Sequence, residues 1–462
     1  MRYTCLARTS LVSTLASICM ASWAQAPALK SDATPRPVTV EVKAEKDAYT
    51  LLSPGNGSGP LWSYGCSNLI RHGDDVLVCQ METGPGVPIL NNTRWRLLRS
   101  APNGWDLVAE EEEYAQREPG VMGVLSDGTA LLYVNDGLAP QLSYNGRAWP
   151  HLLAFPKPYA APGRIVQPEW HEDWATSLYF TEHSYRGFAV DSARDQILML
   201  NIEAKKSFEC WTLLDKSGAR QRSGKVEFPI RACYPQVALK NGAAHVLAVG
   251  DIVEPIQEWR EYKFAQTQQH WDYVFRILYY SQTPNVAAQE FAPPIEIANV
   301  DATGGHITNQ DLWISPDGLA FVMYSQVEVA SELMRAKFFP EKPVTALRPT
   351  LYLAILKDGA VIERKTLLES TDTFSPGTAR FHEAADGALY AVLYTNGADA
   401  GNKLMQVYPL VEKPVLTPIP LAKPLGAFCL ASVRAGNKAS NTIDMLGSAS
   451  GDLMAYACVE IR

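Results

Sequence analysis

The sequence lacks the segments and motifs that mark several large classes of protein. Beyond the N-terminal region, no stretch of the 462 residues is apolar for long enough to span a bilayer. There is no glycine-rich phosphate loop followed by lysine, no G-x-S-x-G nucleophile turn and no H-E-x-x-H helix. Basic residues are outnumbered, since 41 Lys and Arg face 49 Asp and Glu. The net charge of −8 disfavours a general nucleic-acid-binding protein, which usually has a basic surface.

The N-terminal region has the features of a secretory signal peptide. Arg2 and Arg8 supply a positively charged segment, residues 11–20 are apolar, and small residues follow in ASWAQA. We therefore expect residues 1–24 to be removed and the mature protein to be periplasmic or extracellular. Residues 25–37 are rich in Pro, Ala and Ser, which predicts a flexible lead-in. An uncleaved N-terminal anchor is the alternative.

Cysteine is scarce after the predicted leader, and its spacing shows no close pairs of the kind that bind zinc. We therefore expect no metal site and no cofactor, and leave a structural metal ion open. Export permits disulfides. If residues 71–74 form a tight turn, Cys66 and Cys79 face each other across a hairpin and become the one candidate disulfide. The cysteines beyond residue 24 are Cys66, Cys79, Cys210, Cys233, Cys429 and Cys458.

A unit of short alternating strands joined by tight polar turns recurs along the chain. Many of the turns carry Asp-Gly or Asn-Gly, which accept positive φ in hairpins. Seven such units predict an all-β fold, a single seven-bladed β-propeller over residues 38–462. The last unit is one strand short, and residues 38–44 could supply that strand and close the ring. One or two β-sandwiches are the competing fold. The units start at residues 67, 121, 186, 235, 311, 379 and 428.

Two segments depart from the β pattern and have helical spacing. They are residues 251–274 and 329–339, and each falls between the two hairpins of its unit. We interpret them as short helical insertions in the propeller.

The topology of a propeller separates the sequence into two faces. The tight turns of the first hairpins lie on one face, whereas the links into each innermost strand lie on the other. The chemically dense segments, such as TEHSYRG and FPIRACYPQ, are links of the second kind. We therefore expect their side chains to meet around the mouth of the central channel, where loops on a rigid scaffold often carry function. The candidate catalytic residues are His183, Tyr185, Arg186, Arg231, Tyr234 and His306.

These residue types suit proton transfer next to a bound carboxylate. Arginine offers a forked donor for a carboxylate, and His and Tyr can act as acid or base. We assign His183 or His306 as base, Tyr185 or Tyr234 as proton donor, and Arg186 with Arg231 as a carboxylate clamp. Each Arg could instead form a structural ion pair, and each Tyr could be a packing residue. The candidate substrate-binding residues are Arg94, Arg117, Glu118 and Asp311.

SPDGLAFVMY and SDGTALLYV are similar to degenerate Asp-box turns of sialidase-type propellers, although S-x-D-x-G-x-x-W is never completed. Together with TEHSYRG, FPIRACYPQV and DATGGHITNQDLW, they resemble exported BNR-repeat propeller proteins. The characterised relatives nearest in this resemblance are ulvan-lyase-like polysaccharide lyases. The resemblance implies β-elimination on an acidic, uronate-containing polysaccharide, with His and Tyr as base and acid and Arg on the uronate.

Two alternatives remain open at this point. A sialidase-like glycoside hydrolase has the same fold and also uses several arginines on a carboxylate. A non-catalytic module that binds carbohydrate or another partner could use the same cleft, because fold does not fix function.

Overall fold

The computed structural model of the chain describes residues 35–87, 89–139, 146–159, 163–181, 183 and 185–462. Within them the chain forms seven four-stranded antiparallel sheets, here called blades 1 to 7. The innermost strands contact one another in sequence, and the last of them returns to the first. The predicted seven-bladed β-propeller is thus confirmed. The predicted leader and all but the end of the lead-in lie outside the described residues.

The chain begins with β1 (Val40–Thr50), which belongs to the last blade. Blades 1 to 4 then follow in chain order, each from its innermost strand outwards. They contain β2 (Leu69–His72), β3 (Asp75–Thr83), β4 (Thr93–Ala101) and β5 (Gly104–Glu110); β6 (Val121–Val124), β7 (Ala130–Gly137), β8 (Ala148–Phe155) and β9 (Arg164–Val166); β10 (Gly187–Asp191), β11 (Gln196–Glu203), β12 (Phe208–Asp215) and β13 (Arg220–Val226); and β14 (Ala232–Lys240), β15 (Ala243–Gly250), β18 (Ile277–Thr283) and β19 (Ile295–Asn299), with a two-stranded extension of β16 (Ile252–Val253) and β17 (Tyr273–Val274).

Blades 5 to 7 complete the ring, and the seventh is closed by the first strand of the chain. β1 pairs antiparallel with the last strand, Val40 opposite Ile461, and this contact covers the edge that β30 would otherwise leave free. The strand expected around residues 38–44 is therefore present as β1. The blades contain β20 (His306–Ile314), β21 (Ala320–Val327), β22 (Thr350–Lys357) and β23 (Ala360–Leu368); β24 (Phe374–Glu383), β25 (Leu389–Gly397), β26 (Gly401–Tyr408) and β27 (Leu416–Pro418); and β28 (Ala427–Leu430), β29 (Thr442–Ser450) and β30 (Leu453–Ile461) with β1.

Local sequence explains both the strands and their turns. The hydrophobic cores lie between neighbouring blades, where large side chains such as Trp211 and Trp313 are fully buried. In the first hairpin of blade 4, Asn241 and Gly242 both have positive φ, 55° and 84°. This is the backbone of a two-residue hairpin turn, and Asn-Gly is the dipeptide that adopts it most readily.

The two expected insertions are helical but shorter than their segments. α1 (Gln257–Thr267) lies between β15 and β18, and α2 (Glu332–Phe338) lies between β21 and β22. Two short 3₁₀ turns accompany them, Asp301–Thr303 and Val344–Leu347. The helices pack on each other where the Trp259 ring lies 5.9 Å from Phe338. No described helix has the length and apolar character needed to cross a membrane.

Two links fill the centre of the ring. The link between β28 and β29 carries Arg434, which donates to Val237 O at 3.0 Å and pairs with the buried carboxylate of Asp311. Arg434 also donates to Gly65 O in the link that precedes β2. The axis is therefore packed with protein, and a ligand can reach it only from the faces.

The candidate disulfide does not form, because the register of the first hairpin separates the two cysteines. Leu69 lies opposite Val78, and the next pair brings Cys79 N to Asn68 O at 2.8 Å. Cys66 lies two residues beyond that position, where its thiol points to Arg186 O at 3.6 Å. Cys66 and Cys79 are both buried free thiols.

Candidate functional site

Five aromatic side chains, four from two links and one from β14, meet at the face predicted for the site. We call this group the aromatic cleft. The rings of Tyr64 and Tyr234 lie 4.3 Å apart, those of Tyr185 and Tyr234 5.1 Å, and those of His183 and Tyr185 4.3 Å. Trp62 lies 6.3 Å from His183 and 6.1 Å from Tyr234, so it closes the group.

Three tyrosines of the cleft hold backbone conformations that side-chain-bearing residues rarely adopt. The φ angles of Tyr64, Tyr185 and Tyr234 are 29°, 43° and 52°. Such conformations persist only where the surrounding structure enforces them, and they concentrate at functional sites. The strained backbone at these three tyrosines therefore fixes the direction in which each ring points.

His183 is oriented by a buried carboxylate. Its Nδ1 contacts Oε1 of Glu118, whose side chain is only 6% exposed, whereas the His183 side chain is 26% exposed. Burial alone would raise the pKa of Glu118, but the neighbouring His183 and Arg186 outweigh it and hold that pKa below its ordinary value. Glu118 is thus an anion that fixes the ring and directs Nε2 away from itself.

Tyr185 is held by an arginine that a second carboxylate supports. Arg231 donates from Nη2 to the Tyr185 hydroxyl at 2.8 Å and to Asp251 Oδ2. Burial acts to lower the pKa of Arg231, but Tyr185 and Asp251 outweigh it and raise that pKa, so the guanidinium stays charged. Nη1 and Nε of Arg231 make no hydrogen bond to any described residue, and its side chain is 29% exposed. Two of the three nitrogens of Arg231, Nη1 and Nε, are therefore free to donate to a ligand.

Burial fixes the protonation state of the two central phenols. It raises the pKa of Tyr185 and of Tyr234 well above the ordinary value of 10. Both hydroxyls are consequently protonated at neutral pH, and each can serve as a proton donor.

Arg186 lies beneath the cleft rather than in it. Its Nη1 and Nη2 donate to the carbonyl oxygens of Tyr133 and Pro119 at 3.0 and 2.7 Å. It lines a cavity of about 10 Å³ together with Trp62, Tyr185 and Tyr234, which is room for about one water molecule. The charge of Arg186 acts on Glu118 of the site, but its Nη1 and Nη2 donors are bound to backbone carbonyl oxygens.

His306 lies outside the aromatic cleft, and the Phe275 ring separates it from Tyr234. The Phe275 ring lies 5.9 Å from Tyr234 and 5.5 Å from His306. Burial lowers the pKa of His306, so the imidazole is neutral at neutral pH.

The structure separates three of the predicted substrate-binding residues from the cleft and brings the fourth, Glu118, into it. Arg94 pairs with Glu82 and Glu110 on the outside of blade 1. Arg117 donates to Asn56 O at 3.1 Å. Asp311 is buried in the ring centre, where it accepts from Phe381 N at 2.8 Å and pairs with Arg434.

Tyr64 and Asp251 belong to the site although the sequence analysis did not select them. Tyr64 lies in the link that precedes the first innermost strand, so the rule that selected His183 applies to it equally. Asp251 is the residue after β15, at the start of the segment that forms the first helical insertion. Its pairing with Arg231 follows from the register of the β14–β15 hairpin, because Asp251 N donates to Arg231 O at 2.8 Å, one pair beyond Ala232 and Gly250. That register shifts between Cys233 and Gln236, and the sequence pattern does not specify the shift.

Comparison with known proteins gives a likeness in fold. No protein-family model matches the chain, and a search of curated proteins finds no relative. Among solved structures, an ulvan lyase of polysaccharide lyase family PL25 is similar, with 9% identity and a TM-score of 0.53 over 85% of this chain and 93% of that one. A structure of PL25 ulvan lyase bound to -[GlcA(1-4)Rha3S]- has a TM-score of 0.52, with the same identity and coverage. At this identity the likeness shows the propeller fold alone.

Proposed function

We propose that the protein is an exported polysaccharide lyase that cleaves an acidic, uronate-containing polysaccharide by β-elimination in the aromatic cleft. One observation carries the proposal: an imidazole held by a buried carboxylate lies against a protonated phenol, and that phenol is held by a charged guanidinium. A base, an acid and a cation that can bind a carboxylate therefore lie next to one another.

The residues can divide the reaction between them as follows. The free donors of Arg231 bind the uronate carboxylate and so acidify the C5 proton. Nε2 of His183 removes that proton, and the electron pair forms the C4–C5 double bond. The bond from C4 to the glycosidic oxygen breaks, and this oxygen takes the hydroxyl proton of Tyr185. Water returns the proton of His183 to Tyr185, which completes the cycle.

The environment of each group supports its role. Arg231 lies against the phenol that loses its proton, so it stabilises the phenolate as it forms. Trp62, Tyr64 and Tyr234 offer flat apolar surfaces on which a sugar ring can stack. The names of the two similar structures agree with this chemistry, since both are ulvan lyases and one is bound to a GlcA-containing ligand.

The test is turnover on a panel of uronate polysaccharides, with ulvan, alginate and pectate as substrates. We expect at least one to yield unsaturated uronate ends, detected by their ultraviolet absorbance. His183→Asn and Tyr185→Phe should each lower the rate by about a hundredfold or more, the effect typical of a general acid or base. His270→Asn, at an exposed histidine three residues after α1, and Tyr394→Phe, in blade 6, are the matched controls.

Each product identifies one class of activity. Reducing sugar without the ultraviolet absorbance indicates a hydrolase, and released sialic acid indicates a sialidase. Binding without any product indicates a carbohydrate-binding module. Full turnover in both His183→Asn and Tyr185→Phe would refute the assignment of the cleft.

A further inference from the structure

A second, larger cavity lies on the other side of the same aromatic residues. Its volume is about 400 Å³, and it opens between the link that precedes β2 and the inner strands of blades 5 to 7. Trp62 and Tyr64 line it, so these two rings separate it from the cleft that holds His183 and Tyr234. A single chain of sugars could therefore pass from one space to the other across this pair.

The unusual feature of the cavity is Arg380. Its Nη1 donates to Gln310 O at 2.5 Å and to Ala379 O at 3.0 Å. Its Nε is buried and has no hydrogen-bond partner, and its Nη2 bonds to no described residue. These two nitrogens form one edge of the guanidinium, the edge that binds a carboxylate with two parallel hydrogen bonds.

No described carboxylate forms an ion pair with Arg380. The acid whose charge acts on it is Asp311, and that carboxylate is paired with Arg434. Two other buried arginines have an ion-pair partner: Arg434 pairs with Asp311, and Arg276 with Glu254. The acid in the lining is Asp452, an exposed residue in the turn after β29, and it forms no ion pair with Arg380. A largely buried cation without a partner is costly unless an anion reaches it.

The remaining lining suits a sugar. Thr308 and Thr378 contribute hydroxyl groups that have no hydrogen bond to any described residue, and Phe428 supplies an apolar wall. Aromatic faces, scattered hydroxyls and one forked cation are the groups that recognise an acidic monosaccharide unit.

We propose that this cavity is a second anionic-sugar site, in which Arg380 binds the carboxylate or sulfate of a sugar unit. This proposal rests on the proposed function in one respect, because it takes the sugar unit to be part of the polymer that crosses Trp62 and Tyr64. The same chemistry could come from a free sugar acid, and the experiment separates these two sources.

The test is isothermal titration calorimetry with two probes, glucuronate and a uronate oligosaccharide from a polymer cleaved in the turnover assay. If no polymer is cleaved, an oligosaccharide of the ulvan repeat replaces it. The protein is the full chain with His183→Asn, so that nothing is turned over. We expect Arg380→Gln to weaken binding of the oligosaccharide by about ten- to a hundredfold, as for loss of a charge-assisted pair. Arg222→Gln, on the outer strand of blade 3, is the matched control and should leave affinity unchanged.

The result also identifies the source of the anion. Arg380-dependent binding of glucuronate shows that a free sugar acid is sufficient, whereas dependence with the oligosaccharide alone assigns the site to a unit of the polymer. Equal affinity of Arg380→Gln and the parent for both probes would overturn the proposal, and so would failure of the parent to bind either probe. If Arg380→Gln does not fold, Arg380→Lys decides, because it keeps the charge but loses the two-nitrogen edge. An unaltered affinity in that variant overturns the proposal.

The two proposals fail separately. A protein without lyase activity whose binding still depends on Arg380 would refute the proposed reaction and retain the cavity. A protein with lyase activity whose oligosaccharide binding does not depend on Arg380 would retain the proposed reaction and refute the proposed role of the cavity.

Discussion

A pair of carboxyl groups at the junction of blades 1 and 2 should make stability depend on pH. Glu111 and Asp136 contact each other, and Gln116 Nε2 donates to both, at 2.8 Å to Glu111 Oε1. Burial, and then the charge of Asp136, raise the pKa of Glu111 from its ordinary 4.5 to about 8. The pair consequently shares a proton at neutral pH, since two carboxylates in contact cannot both ionise without cost.

The sign of the effect follows from the direction of the shift. A carboxyl group whose pKa is higher in the folded state stabilises the fold below its unfolded pKa and loses that contribution as pH rises through the folded value. For Glu111 the loss extends from about pH 4.5 to about pH 8. At about 1.4 kcal/mol per pH unit, with allowance for screening, it reaches about 2–3 kcal/mol near pH 7.

Glu111→Gln tests this reasoning, because the amide cannot ionise. We expect the free energy of unfolding of the variant to rise by about 2–3 kcal/mol relative to that of the wild type as the pH increases from about 4 to 7. Denaturant unfolding at each pH measures this difference. Glu112→Gln, at the exposed neighbouring residue, should follow the wild type throughout. Parallel pH profiles for Glu111→Gln and the wild type would show that no proton is held at this junction.

Two further predictions concern the ring centre and the cysteines. Arg434→Met should destabilise the protein by about 3–5 kcal/mol in denaturant unfolding, because it leaves the Asp311 carboxylate buried and unpaired. The double variant Asp311→Asn with Arg434→Met should recover much of this loss of stability. A double variant without recovery would show that the ion pair is not the cause. Alkylation of the unfolded, unreduced protein followed by peptide mass spectrometry should find Cys66 and Cys79 both as free thiols, and a peptide that links them would contradict the register of the first hairpin.

The sequence was sufficient for the fold because the pattern of each blade is local. Strand alternation and dipeptides such as Asn241-Gly242 are decided within a few residues, so the blades could be counted without knowledge of their neighbours. The ring closure by β1 followed from one missing strand in that count.

The sequence was less informative where a contact joins distant links. Residues of one face could be grouped by topology, which brought His183, Tyr185 and Tyr234 together. The same argument could not separate Arg231, whose fork is partly available, from Arg186, whose donors bind carbonyl oxygens of blade 2. Such differences depend on side-chain direction over a few ångströms, and periodicity carries no information about that. The failed cysteine pair has the same origin, because a shift of two residues in register separates the thiols.

The site and the closure of the ring have a common structural cause. Because β1 is the outermost strand of blade 7 and β2 is the innermost strand of blade 1, the chain between them must run inwards across one face. That passage brings Trp62 and Tyr64 to the axis, where they form one wall of the cleft and one wall of the larger cavity. Closing the ring with the N-terminal strand therefore also divides its mouth into two adjoining spaces, one with His183 and Arg231 and the other with Arg380. Changes at Trp62 or Tyr64 should accordingly affect both spaces together, whereas changes at Arg231 or Arg380 should affect one.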